Sequence, residues 1–176
     1  MSTRTVLHDA DIQRALRRIA HEILESNKGP DGLVILGIPT RGVPLAQRLA
    51  ALVTKVGGAE VPVGSLDVTM YRDDLHRHPT RTPQPTQIPP GGIDGKTVVL
   101  VDDVLFSGRS IRAALDALQD IGRPAAVRLA ILVDRGHREL PIRPDFVGKN
   151  LPSARDERVN VHLADIDGTD EVTIES

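Results

Sequence analysis

With 176 residues, 40% of them apolar, the chain has the size and composition of a single domain, 1–176, around one substantial core. Zero cysteines exclude disulfides and thiolate metal sites, and two phenylalanines, one tyrosine and no tryptophan are too few for a platform that stacks unpaired bases. A formal charge of −2 supplies no general pull toward nucleic acid or an anionic membrane, and neither a bilayer-length apolar stretch nor a charged-then-apolar leader is found. A cytoplasmic protein without a membrane partner is therefore expected, and any RNA partner needs a local basic face.

In chain order, residues 9–26 place Ile12, Ala15, Leu16, Ile19, Ile23 and Leu24 at helical spacing, with Asp9 or Asp11 available to cap the first turn. Arg14, Arg17, Arg18 and His21 fall on the opposite arc, a basic stripe that reads by itself as the solvated side of an amphipathic helix, shared with Glu22 and Glu25. Residues 32–37 read as a short buried strand, 38–42 as a loop and 43–55 as a helix, forming a first βα unit. Its connecting stretch, Gly37-Ile38-Pro39-Thr40-Arg41-Gly42, offers two flexible glycines, a hydroxyl, backbone N–H groups and one cation at a strand end. Residues 61–70 alternate like a strand. Residues 71–92 are rich in proline, threonine and charge, show no period, and read as a long loop or extended hairpin in which His76 and His78 are solvated.

Residues 97–101 form an apolar run of the kind found in strands packed on both faces. Asp102 and Asp103 then emerge at its carboxyl end, where open α/β sheets bind ligands. Two adjacent carboxylates can accept hydrogen bonds from a vicinal diol. The loop that follows carries Ser107, Gly108 and Ser110 and can turn N–H groups and hydroxyls toward one phosphate at a helix start. Diol and phosphate are the two ends of a ribose 5-phosphate. Gly95-Lys96-Thr97 mimics the end of a P-loop, but the first glycine of that motif would fall on Pro90 and the segment precedes a strand, so it reads as a turn. A helix over 109–121 and a buried strand over 126–133, ending at Asp134 and Arg135, continue the βα alternation of an α/β fold. Beyond Pro144, pieces at 146–148, 159–163 and 171–174 read as candidate antiparallel edge strands.

Residues 98–110 resemble the phosphoribosyl pyrophosphate (PRPP) motif of the type I phosphoribosyltransferases, with Ser107 and Ser110 where threonine is commoner. Together with Tyr71-Arg72-Asp73-Asp74, Gly122-Arg123-Pro124, residues 133–142 and residues 147–152, they make the chain from about Asp9 to Val161 similar to the bacterial pyrimidine operon regulatory proteins that are also uracil phosphoribosyltransferases. The resemblance implies a mainly parallel central sheet flanked by helices, with residues 71–92 as a hood over the site. It implies that Asp102 and Asp103 meet the ribose hydroxyls and that Val104, Leu105, Phe106, Ser107, Gly108, Arg109 and Ser110 wrap the 5-phosphate. Thr40 and Arg41 would bind pyrophosphate, with Arg41 and Arg72 as the catalytic cations, and Asp134, Arg135, Gly136 and His137 would read uracil. Mg²⁺ would arrive with PRPP near Asp102 and Asp103, with no protein metal cage. The RNA partner would be the leader of pyrimidine-operon messenger RNA, bound in response to UMP or UTP through Arg17, Arg18, His21, Arg138, Arg143 and Lys149, and the assembly a homodimer or larger. The alternative is a purely metabolic phosphoribosyltransferase that binds no RNA.

Overall fold

The computed structural model describes residues 2–73, 83 and 85–176. Residues 74–82 and 84 of the expected hood, His76 and His78 among them, lie outside the described residues. In chain order the elements are β1 (Thr3–Leu7), α1 (Asp9–Asn27), β2 (Leu33–Gly37), α2 (Gly42–Gly57), β3 (Val63–Ser65), a 3₁₀ turn (Thr69–Tyr71), β4 (Thr97–Leu105), α3 (Arg109–Gln119), β5 (Ala126–Asp134), β6 (Phe146–Asn150), β7 (Arg158–His162), α4 (Ala164–Asp167) and β8 (Glu171–Glu175).

Five strands form a parallel sheet in the order β3-β2-β4-β5-β6, and β1-β8-β7 form a separate antiparallel sheet. The uninterrupted apolar runs of β2 and β4 follow from burial on both sides. Leu33, Ile35, Val99 and Val101 pack toward α1 and α2, while Val34, Leu36, Val98 and Leu100 pack toward α3. Three parallel strands therefore end side by side, and the loops that leave β2, β4 and β5 share one edge.

The structure corrects several expectations. The cap of α1 is His8, one residue ahead of Asp9, and the Asp11 carboxylate accepts a hydrogen bond from the His8 N–H at 2.9 Å. Only Val63–Ser65 of residues 61–70 is strand: Ser65 exchanges both backbone bonds with Gln87 at 2.9 Å, after which the chain coils into the 3₁₀ turn. β4 runs four residues beyond Val101, because β5 continues beside it and pairs Asp102 with Ile131 and Leu105 with Asp134. The acid pair thus sits within the last turns of a strand, on backbone held by its ladder. β6 is parallel to β5, not antiparallel, while β7 and β8 are antiparallel in the second sheet. β1 escapes the sequence pattern because its residues Thr3 to Thr5 are exposed and only Leu7 is buried.

Candidate active site

Two glycines bring the loop after β2 flush against β4. A Cβ on Gly37 would lie 2.4 Å from the Gly42 carbonyl oxygen, and one on Gly42 would lie 2.4 Å from that of Val101. The Ile38 N–H donates to Val101 O at 2.9 Å, so the loop rests on the strand at the residue before Asp102. The Pro39–Thr40 peptide is cis and Thr40 is exposed. Arg41 is gripped by a residue with no sequence signal for the purpose. Its Nε donates to Asp167 Oδ2 at 3.2 Å and its Nη2 to Oδ1 at 2.7 Å, a forked pair that reaches across from α4. Hydrogen bonding to Asp167 holds the Arg41 pKa above its ordinary value, with the Asp103 charge contributing as well. In return Arg41, aided by the Leu163 N–H, holds the Asp167 carboxyl below the usual carboxylate range.

A cleft of about 480 Å³ opens between this loop, the end of β4 and the segment around the 3₁₀ turn, with Thr40, Arg41, Arg72, Asp102, Asp103 and Ser110 among its walls. Asp102 Oδ1 accepts from the Asp103 N–H and Asp103 Oδ1 from the Val104 N–H, both at 2.8 Å, which fixes both carboxylates against the strand end. Arg72 reaches the far end of the cleft, where its Nη1 donates to Ser110 Oγ at 3.2 Å. Its neighbours dock on α3: Tyr71 hydrogen-bonds Asp120, and Asp73 pairs with Arg109 at 2.7 Å. Arg41 and Arg72 therefore line the same cleft as the acid pair. Arg109, exposed on the first turn of α3, is paired with Asp73 and Glu139. Gly108 turns at φ 94° into α3.

At the end of β5, Asp134 accepts from the Gly136 N–H at 3.1 Å and from Arg138 Nη2 at 2.7 Å. Arg135 is buried, its guanidinium 4.3 Å above the Phe106 ring, with Nε on Ser153 Oγ at 3.2 Å and Nη2 on Ala154 O at 2.8 Å. Burial pushes its pKa down, and it joins Phe106, in the loop after β4, to residues 153–154. His137, at φ 67°, lies 2.6 Å from Ser153 O through Nε2; a carbonyl only accepts, so Nε2 carries the proton. Asp167 and Ser153 carry no signal in the sequence, since each acts across a distance that no local pattern encodes.

The expected RNA residues separate. Arg17, Arg18 and His21 are exposed on α1, and Arg18 also donates to Val147 O at 3.0 Å and Gly148 O at 2.6 Å, which sets the stripe beside exposed Lys149 on edge strand β6. Arg143 lies on the other side of the sheet beside Ile111 and Leu115 of α3. Arg138 is turned inward onto Asp134 and the Phe106 and Ile142 carbonyls.

Among the described residues no three His, Asp or Glu side chains converge into a metal cage. The paired carboxylates of Asp102 and Asp103 do fit a hard divalent cation that keeps most of its oxygens from water and substrate. Among the described residues no helix is long and apolar enough to cross a membrane.

Residues 2–163 match the phosphoribosyl transferase domain, a span that contains the acid pair and all three strand-end loops. Solved structures agree on the fold. A hypoxanthine phosphoribosyltransferase of Trypanosoma cruzi superposes with a TM-score of 0.74 at 17% identity, covering 98% of this chain and 91% of that one. Its Staphylococcus aureus counterpart gives 0.69 at 18%, covering 98% and 91%. The fold is thus that of a phosphoribosyltransferase domain. Among curated relatives, the bifunctional protein PyrR of Leifsonia xyli subsp. xyli is 71% identical over 99% of this chain and 98% of its own length. The protein of that name from Streptomyces coelicolor is 65% identical, over 97% and 89%. The chain belongs to the bifunctional PyrR family of phosphoribosyltransferases.

Proposed function

We infer that this chain transfers phosphoribosyl from PRPP to uracil, giving UMP and pyrophosphate, and that it is also an RNA-binding regulator of pyrimidine biosynthetic genes that responds to UMP or UTP. The observation that carries the reading is the near-full-length likeness to the Leifsonia protein, combined with one cleft shared by the loop after β2, the end of β4 and Ser110 of α3. In the reaction, the bond from ribose C1 to the pyrophosphate oxygen breaks, uracil N1 bonds to C1, and the N1 proton passes to solvent. Asp102 and Asp103 accept hydrogen bonds from the ribose hydroxyls as C1 gains positive charge. Residues 104–110 hold the 5-phosphate, and the loop after β2 with Thr40 and Arg41 holds the leaving group. Arg72, at Ser110 in this structure, adds charge at the phosphate end of the cleft. Asp134, Arg135, Gly136 and His137 present the base. Catalysis then comes from positioning and from charge placed beside the leaving group, with no protein general base. Mg²⁺ bound with PRPP near Asp102 and Asp103 would neutralise pyrophosphate charge.

The RNA partner, the leader of pyrimidine-operon messenger RNA, is placed at Arg17, Arg18, His21 and Lys149, a basic patch on a molecule of net charge −2. The protein is placed in the cytoplasm, where PRPP and messenger RNA are found, as a homodimer or larger assembly. UMP formation from uracil, PRPP and Mg²⁺, followed chromatographically, tests the enzyme. Asp102→Ala and Asp103→Ala should each lower turnover by roughly a hundredfold or more, on the scale of losing one transition-state contact. Turnover intact in both would overturn the site. A leader-RNA gel shift with and without UMP tests the regulator; turnover without RNA binding would leave a metabolic enzyme.

A further inference from the structure

We propose that Arg138 is a positioning residue of the phosphate loop, fixing the direction in which that loop's N–H groups point; this rests on the PRPP reading above. Its half-buried guanidinium spends three nitrogens on the protein: Nε on Ile142 O at 2.7 Å, Nη1 on Phe106 O at 2.8 Å and Nη2 on Asp134 Oδ2 at 2.7 Å. The next two residues extend the brace. The Glu139 and Leu140 N–H groups both donate to Ser107 O, at 2.9 and 3.2 Å. Two consecutive carbonyls of the phosphate loop, Phe106 and Ser107, are therefore drawn toward the segment 138–142.

In a planar trans peptide the N–H points opposite to the carbonyl of the same unit. With the Phe106 and Ser107 carbonyls drawn outward, the Ser107 and Gly108 N–H groups face the other side of the loop, away from the brace. Consecutive N–H groups turned the same way, just ahead of a helix, make the concavity that suits a phosphate. The packing is close enough to enforce this. A Cβ on Gly108 would lie 3.1 Å from Ile142 Cβ and 3.5 Å from Arg138 Cδ. With Arg138 truncated, the Phe106 carbonyl loses its hydrogen-bond donor, and the peptide that presents the Ser107 N–H is free to turn. Arg138 also holds Asp134, so one cation joins the phosphate loop to the expected base loop, a geometry unlike that of a side chain reserved for RNA phosphates.

The experiment is calorimetric titration of UMP and of uridine into wild type, Arg138→Ala and Arg138→Lys, with leader-RNA binding measured in the absence of nucleotide. The ratio of uridine to UMP dissociation constants isolates the phosphate, because any disturbance at Asp134 acts on both ligands and cancels. We expect Arg138→Ala to lower that ratio about tenfold or more, the loss of roughly one well-aligned charged contact. Arg138→Lys, which keeps one donor, should recover part of it, and KM for PRPP should rise more than KM for uracil. If the alanine variant fails to fold, the lysine variant reads the same ratio. An unchanged ratio in both variants overturns the proposal, and an unchanged ratio with weakened nucleotide-free RNA binding makes Arg138 an RNA contact. A wild type that binds UMP no better than uridine would instead overturn the PRPP reading itself.

Discussion

At Gly42 the side chain matters by its absence. The residue is buried at the start of α2, and any Cβ there would collide with the Val101 carbonyl at 2.4 Å. Gly42→Ala must lift the loop off β4 beside Asp102. A stability loss of roughly 1–3 kcal/mol is expected, the usual scale for overpacking, readable as a lower urea midpoint. KM for PRPP should rise with it, since the moved loop carries Thr40 and Arg41. A variant with wild-type midpoint and KM would show that the contact yields without cost. Residue placement was largely legible in the sequence: type and spacing alone put Asp102 and Asp103 at a strand end and Ser107 and Ser110 at the start of a helix. That Gly42 is required by close approach of two backbones, instead of by flexibility, was not legible, because its partner carbonyl, Val101, belongs to a strand about 60 residues on.

Among elements, the short α4 has the largest effect for its size. Asp167 grips Arg41, while Asp165 and Asp170 grip Arg48 of α2, the latter in a fork with both bonds at 2.9 Å. This clasp ties the second sheet to the helix that follows the Thr40-Arg41 loop. Hydrogen bonding to their arginines holds the Asp167 and Asp170 carboxyls below the ordinary range. Groups with depressed folded values stabilise fully above the unfolded pKa, near 3.9, and lose that contribution as pH falls through the lowered folded values. Between pH 6 and 3 the wild-type melting temperature should therefore fall, and the double variant Asp167→Asn with Asp170→Asn should start lower and fall less. Parallel curves would remove the clasp from the account of acid stability. Residues 164–167 carry no helical signal in the sequence, since four residues give no period to detect. The direction of β6 is likewise absent from the sequence, because a five-residue strand carries no mark of its neighbour's direction, and the expected antiparallel edge is parallel.

For the molecule as a whole, a slightly acidic chain meets a polyanion only through uneven distribution of its charge. Arg17, Arg18, His21 and Lys149 gather on the α1 and β6 side, whereas Arg143 lies across the sheet and Arg138 is spent inside. Binding of leader RNA should weaken with salt, and Arg17→Ala should reduce the slope of log affinity against log salt by roughly 0.7–0.9, one phosphate contact. A slope unmoved by both Arg17→Ala and Lys149→Ala would take RNA off this face.

By itself the sequence determined the α/β class, the strand-end acid pair, the Ser107-Gly108 loop into α3 and the amphipathic helix, because these depend on residue type at short spacing: period, punctuation and the order of strand, loop and helix. Only the tertiary structure decided that α4 reaches Arg41, that Arg135 lies on Phe106, that Arg138 turns inward and that the basic residues divide between two faces. Each of those depends on which distant atoms meet, and a forked ion pair or a carbonyl contact across 19 to 126 residues leaves no local pattern in the chain.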